Sequence, residues 1–177
     1  MDLQFPIGKF HQPTTPVDAA ARAAYIDDIE RMPAALRAAV AGLSETQLDT
    51  PYRPGGWTVR QLVHHVADSH MNGYTRVKLA LTEENPVIKP YDEGAWAELP
   101  DSKLPLELSL GILDGVHARL DALLRSLTPE QFAVAVRAAL LDADATDVTD
   151  AVIDNGADPG QRADDASGDE AAGVATA

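Results

Sequence analysis

Histidine is the side chain here best suited to chemistry, and three of the chain's five lie within seven positions, at His64, His65 and His70. Imidazole exchanges protons near neutral pH and is a common ligand of transition metals. No cysteine occurs anywhere, so thiolate sites, disulfides and a cysteine nucleophile are excluded, and any metal must be held by histidine and carboxylate. A zinc-type catalytic site takes about three protein ligands and leaves a position for water, whose pKa it lowers to about 7.

On a helix, Gln61, His65, Ser69, Asn72 and Arg76 fall at steps of four, four, three and four, a continuous polar row of the kind that lines a pocket beside a core. Asp68, three residues beyond His65, is placed to add a carboxylate ligand or to orient the imidazole. His64 diverges from His65 by about 100° around the helix, so the adjacent pair does not read as two ligands of one ion. His11, in the N-terminal arm, is a further imidazole that could be recruited.

The element that must position these residues is a helix over 58–81. Thr58 and Gln61 have the spacing of a capping box, Trp57 and Leu62 that of a hydrophobic staple, and Glu83-Glu84-Asn85-Pro86 closes it. Val59, Val63, Val66, His70, Tyr74, Val77 and Leu81 form its predicted core stripe, with His70 inside it.

Upstream, Thr15 and Pro16 start a first helix with the stripe Tyr25, Ile29, Met32, Leu36, Val40 and Leu43, which Pro33 is expected to kink or break. Ser44 and Gln47 cap a short helix. Downstream, residues 85–103 form a long connection rich in proline and aromatics, placed to cover or shape a site. From about Leu104 to Leu127, the series Leu106, Leu110, Leu113, His117, Leu120, Leu124 and Leu127 is the seam of a bundle helix, with His117 a buried histidine bonded to a neighbour. Thr128-Pro129-Glu130-Gln131 announces another helix, of which Phe132, Val134, Val136, Leu140 and Leu141 supply only two or three turns. So weak a fourth helix would leave Leu113 and Leu120 partly uncovered.

These signals specify an all-α protein: an arm over 1–14, a helical bundle over 15–142, and a low-complexity acidic tail over 143–177 expected to be disordered. The net charge of −14 excludes a basic nucleic-acid surface, and ten acids against two bases in residues 133–177 place much of it in the tail. No apolar run approaches a membrane span and no signal sequence follows Met1, so a soluble, cytoplasmic protein is expected.

Phe5-Pro6-Ile7-Gly8-Lys9-Phe10, Leu48-Asp49-Thr50-Pro51-Tyr52-Arg53, Gly55-Gly56-Trp57-Thr58-Val59-Arg60-Gln61, His64-His65-Val66-Ala67-Asp68-Ser69-His70-Met71-Asn72, and Lys89-Pro90-Tyr91-Asp92-Glu93 with Ala95-Trp96 closely resemble the YfiT-like metal-dependent hydrolases of the DinB superfamily. The likeness covers about residues 3–132. It implies a four-helix bundle, often a homodimer, that holds one divalent metal, nickel or zinc, by three histidines and acts on a small molecule. Related enzymes include transferases that join thiols to electrophiles.

By this resemblance His65 is one metal ligand. The other two belong to an HxxxH-type pair on the last helix, and no two histidines of this chain are four apart. The resemblance therefore implies a four-helix bundle with an atypical fourth helix and an incomplete metal cage. An inactive, metal-free bundle that serves as a binding or interaction module is the alternative.

Overall fold

A computed structural model describes residues 17–139. The arm over 1–14 and the tail over 143–177 lie outside the described residues. Apart from one bridge between Pro51 and Thr58, the regular structure within them is helical.

Helix α1 is Ala19–Val40, and Asp18 rather than Thr15 caps it, its Oδ1 accepting from the Ala21 amide at 2.8 Å. Asp is as good an N-cap as Thr, so the sequence held two competing starts. Pro33 does not break α1, which runs on as one 22-residue helix with Pro33 buried in it. Proline does remove the amide that would bond the Ile29 carbonyl, and that carbonyl instead accepts from His117 Nδ1 at 2.6 Å.

The short α2, Glu45–Leu48, and the central α3, Val59–Thr82, both begin with the expected capping boxes, Ser44 with Gln47 and Thr58 with Gln61. The connection that follows holds α4, Glu93–Ala97, and a 3-10 turn at Pro100–Lys103. Helix α5 is Leu106–Ser126, and the Thr128–Gln131 box starts α6, Pro129–Ala139.

Helix α3 packs against both α5 and α6, while α1 lies on α5. At one end Ile26, Val77, Leu124, Phe132 and Ala135 join all four long helices in a single apolar cluster. At the other, Leu48, Val63, Leu106 and Leu110 close the core between α2, α3 and α5. Buried Arg60 ties α2 to α3 there, donating from Nε to Asp49 at 2.7 Å and from Nη2 to Glu45.

Two partners widen the buried arc of α3 beyond the expected stripe. Val63, Ala67, Val77 and Ala80 are buried with Arg60, His64 and Arg76, whereas Val59, Val66, His70, Tyr74 and Leu81 are only half-buried. The α5 seam is as read, with Leu106, Leu110, Leu113, His117 and Leu124 all buried.

Leu113 is sealed completely, contrary to the expectation that it would be partly uncovered, whereas Leu120 is half-buried as expected. Within the described residues α6 spans 11 residues, and it inserts Phe132, Ala135 and Ala138 into the core, while the expected Leu140 and Leu141 lie outside the described residues. Alanine at two of those three positions lets the α6 backbone come close to α3. Removal of a buried phenyl group costs about 3–5 kcal/mol. Phe132→Ala is expected to lower the urea unfolding free energy of the full chain by about that much, and a loss under about 1 kcal/mol would show that α6 is not docked.

Candidate functional site

His65 lies on the edge of α3 that faces the 85–103 connection. Its ring stands 4.6 Å from the Trp57 ring, tilted by 56°, and its Nε2 is 3.8 Å from Glu93 Oε2 at the start of α4. That separation is beyond a hydrogen bond, so the imidazole and carboxylate face one another with both still able to engage a third group.

The segment opposite is built to stay there. Asp92 Oδ1 caps α4 by accepting from the Ala95 amide at 2.8 Å, Tyr91 packs on Trp96 with ring centroids 4.4 Å apart, and Ser102 Oγ donates to the Trp96 carbonyl at 3.2 Å. Gln61 joins helix and lid: its Oε1 accepts from the Thr58 amide at 3.0 Å, while its Nε2 donates to the Ala97 carbonyl at 2.9 Å.

The rest of the polar row disperses. Asn72 Nδ2 donates to the Asp68 carbonyl on its own helix at 2.9 Å, Arg76 is buried, and Ser69 stays half-buried on the same helix. Cavities of about 420 and 440 Å³ open beside α2 around Arg60 and Glu45; Gln61 reaches the first, and His65 lines neither. The steps of three and four keep the row in line along α3, but the wide buried arc takes Arg76 into the core. Burial, with the charge of Asp101 adding, holds the Asp68 carboxyl above the usual carboxylate range, while His65 and His64 pull it the other way.

The other histidines are tied into the interior. His64 is buried, its Nε2 donating to the Leu104 carbonyl at 2.9 Å and its Nδ1 facing Ser109 Oγ at 2.7 Å. A serine hydroxyl on an imidazole nitrogen is the pairing of an activated nucleophile. Ser109 and His64 are both sealed in the core, however, and act as a satisfied polar pair. His117 is buried too, between the Ile29 carbonyl and His70, whose Nδ1 lies 2.6 Å from its Nε2. Sequence reasoning missed Glu93 and Ser109 as partners, because only tertiary packing brings them to α3, and it read Trp57, which adjoins the α3 N-cap, as a staple for Leu62 and not as a neighbour of His65.

The DinB superfamily model matches residues 28–153. The chain belongs to the DinB superfamily. A Bacillus cereus (strain B4264) protein provisionally named a metal-dependent hydrolase is 57% identical over 129 residues, 73% of this chain and 74% of the relative. A similarly named Bacillus mycoides (strain KBAB4) protein is 56% identical over 128 residues, 72% and 73% of the two. Among solved structures, YfiT from Bacillus subtilis, described as a probable metal-dependent hydrolase with an unusual four-helix bundle topology, superimposes with a TM-score of 0.74 at 43% identity. That match covers 81% of this chain and 90% of YfiT.

A divalent metal is therefore the group to test against the residues of this DinB-superfamily chain. His65 offers one imidazole and Glu93 the facing carboxylate, with Asp68 one turn along α3. Among the described residues, no three histidine, aspartate or glutamate side chains gather closely enough to hold an ion. The described donor set does not fit the three-ligand cage that a catalytic site uses.

His70 is the titrating group of this interior. Burial, then the neighbouring charges of His117 and His65, push its imidazole down to about 4 from 6.5. Between those values the unfolded chain takes up a proton at His70 that the folded chain refuses, so this contribution to stability is complete above about pH 6.5 and is lost as pH falls towards 4. The shift corresponds to at most about 3 kcal/mol. His70→Asn keeps a donor for His117 without titrating, and it should flatten the fall in urea midpoint between pH 7 and pH 4.5. An unchanged slope in the variant would place the acid sensitivity elsewhere.

Proposed function

We propose that this chain is built on the scaffold of a divalent-metal-dependent hydrolase acting on a small molecule, with His65 as its remaining metal-ligating imidazole, and that it binds nickel or zinc weakly and turns over slowly. The observation that carries the reading is the placement of His65, half-buried on a rigid helix against Trp57 and facing Glu93 under a latched connection. The names of its relatives support the class of reaction. Transfer of a thiol to an electrophile belongs to the same class of small-molecule chemistry, and product analysis separates it from hydrolysis.

The alternative, a metal-free bundle serving as a binding module, draws support from the missing third donor among the described residues. Calorimetric titration of the full chain with nickel or zinc is expected to show weak binding that His65→Ala removes, because one imidazole and one carboxylate leave most coordination positions to water. Grafting a last helix with an i, i+4 histidine pair should raise affinity sharply, and His65→Ala in that repaired chain should abolish the gain. Tight stoichiometric metal in the unrepaired chain would mean that other ligands exist, and no metal binding before or after repair would leave the binding-module reading.

Assembly as a homodimer is part of the same proposal. Leu108 and Ile112, four apart on α5, are exposed at 56% and 38%, and Leu104, in the extended backbone just before the helix, at 45%, apolar surface suited to a second copy. Sedimentation should show a dimer that Leu108→Glu weakens; a monomer at micromolar concentration would refute it.

A further inference from the structure

The bond between His117 and the Ile29 carbonyl fixes more than the place of one buried ring. A carbonyl can only accept, so the proton in that 2.6 Å contact lies on His117 Nδ1. With the ring neutral, His117 Nε2 is then a lone pair, and the 2.6 Å contact to it must be donated by His70 Nδ1. Neither ring bonds to a carboxylate among the described residues, so nothing there offsets a buried positive charge on the pair. The proton of neutral His70 is committed to Nδ1, and Nε2 is left bare. Among the described residues none donates to that nitrogen, and His70 as a residue is half-buried.

What frees the Ile29 carbonyl is Pro33. In an α-helix the amide of residue 33 would bond the carbonyl of residue 29, and proline has no amide hydrogen. Pro33 lies within the unbroken α1 and is itself buried, so water does not replace that bond and His117 does. The ring centroids of His117 and His70 are 4.8 Å apart with planes 21° from parallel, and the 2.6 Å contact between their nitrogens sets the rings edge to edge. In that arrangement the Nδ1 proton of His70 points along the His117 Nε2 lone pair.

We propose that Pro33 is a positioning residue for His70: by releasing the Ile29 carbonyl to His117, it sets the tautomers of both imidazoles, so that His70 presents Nε2 as a lone pair. The ligand chemistry this nitrogen takes is a hydrogen-bond donor, not an acceptor. The inference is independent of the hydrolase reading, because the tautomers are set whether or not a metal or substrate binds.

Long-range proton–nitrogen correlation spectra of the full chain, labelled with nitrogen-15 histidine, read tautomers directly. At neutral pH, His117 and His70 should both carry their proton on Nδ1, while His64, which donates from Nε2 to Leu104, serves as an internal control of the opposite tautomer. A proton on His70 Nε2, or averaging between its two nitrogens, would overturn the proposal. Pro33→Ala restores an amide for the Ile29 carbonyl, and His117 and His70 should then shift towards mixed tautomers with His64 unchanged. Should His70 keep its Nδ1 proton in that variant, Pro33 does not position it. If Pro33→Ala does not fold, His117→Leu in the parent chain decides the same point: His70 should lose its single tautomer, and retention of it would refute the relay.

Discussion

The burial of α3 on two sides at once is the constraint that the rest of this structure obeys. A helix on the outside of a bundle can turn its polar residues to water, but α3 touches both α5 and α6, and its buried arc includes Arg60, His64 and Arg76 beside Val63, Ala67, Val77 and Ala80. A buried donor or acceptor left unmet costs about 1–3 kcal/mol, so each neighbour must arrive carrying the right group. Helix α5 brings Ser109 opposite His64, the α2 segment brings Asp49 and Glu45 to Arg60, and the backbone at Leu104 accepts from His64.

The same rule explains a proline in the middle of α1. Proline inside a helix costs about 3 kcal/mol relative to alanine, in part because one carbonyl loses its partner. Here the orphaned carbonyl meets an imidazole from α5, so the loss of an intrahelical bond becomes a bond between helices. Between α1 and α5 that 2.6 Å bond to one particular carbonyl adds a directional tie to the apolar layers at the two ends of the bundle and to the Arg37–Asp114 and Arg125–Asp27 pairs.

Features set by near neighbours in the chain were legible from the residues alone. The Ser44, Thr58 and Thr128 capping boxes each need only a side chain three positions away, and all three are present. The leucine seam of α5 was legible for the same reason, because its period is internal to one helix. Thr15 misled because Asp18 offers an equally good cap. The effect of Pro33 could not be read locally, since the group that rescues Ile29 lies 88 residues away. The candidate site divides along the same line: His65 stands in a recognisable segment, whereas Glu93 faces it only once the connection folds back, and Arg76 left the predicted row because α3 has two packing partners.

Gln61 shows how little is needed to hold the segment over His65. Fixing a glutamine side chain costs up to about 1.5–2 kcal/mol of rotamer entropy, yet the capping box at the start of α3 already imposes that order through Oε1. The hydrogen bond from Nε2 to Ala97 therefore forms from a donor that is already aimed, with no further conformational freedom to lose. The tie thus adds its net stabilisation of about 0.5–1.5 kcal/mol without a separate ordering cost at Gln61, and the start of α3 and the cover over His65 share one side chain.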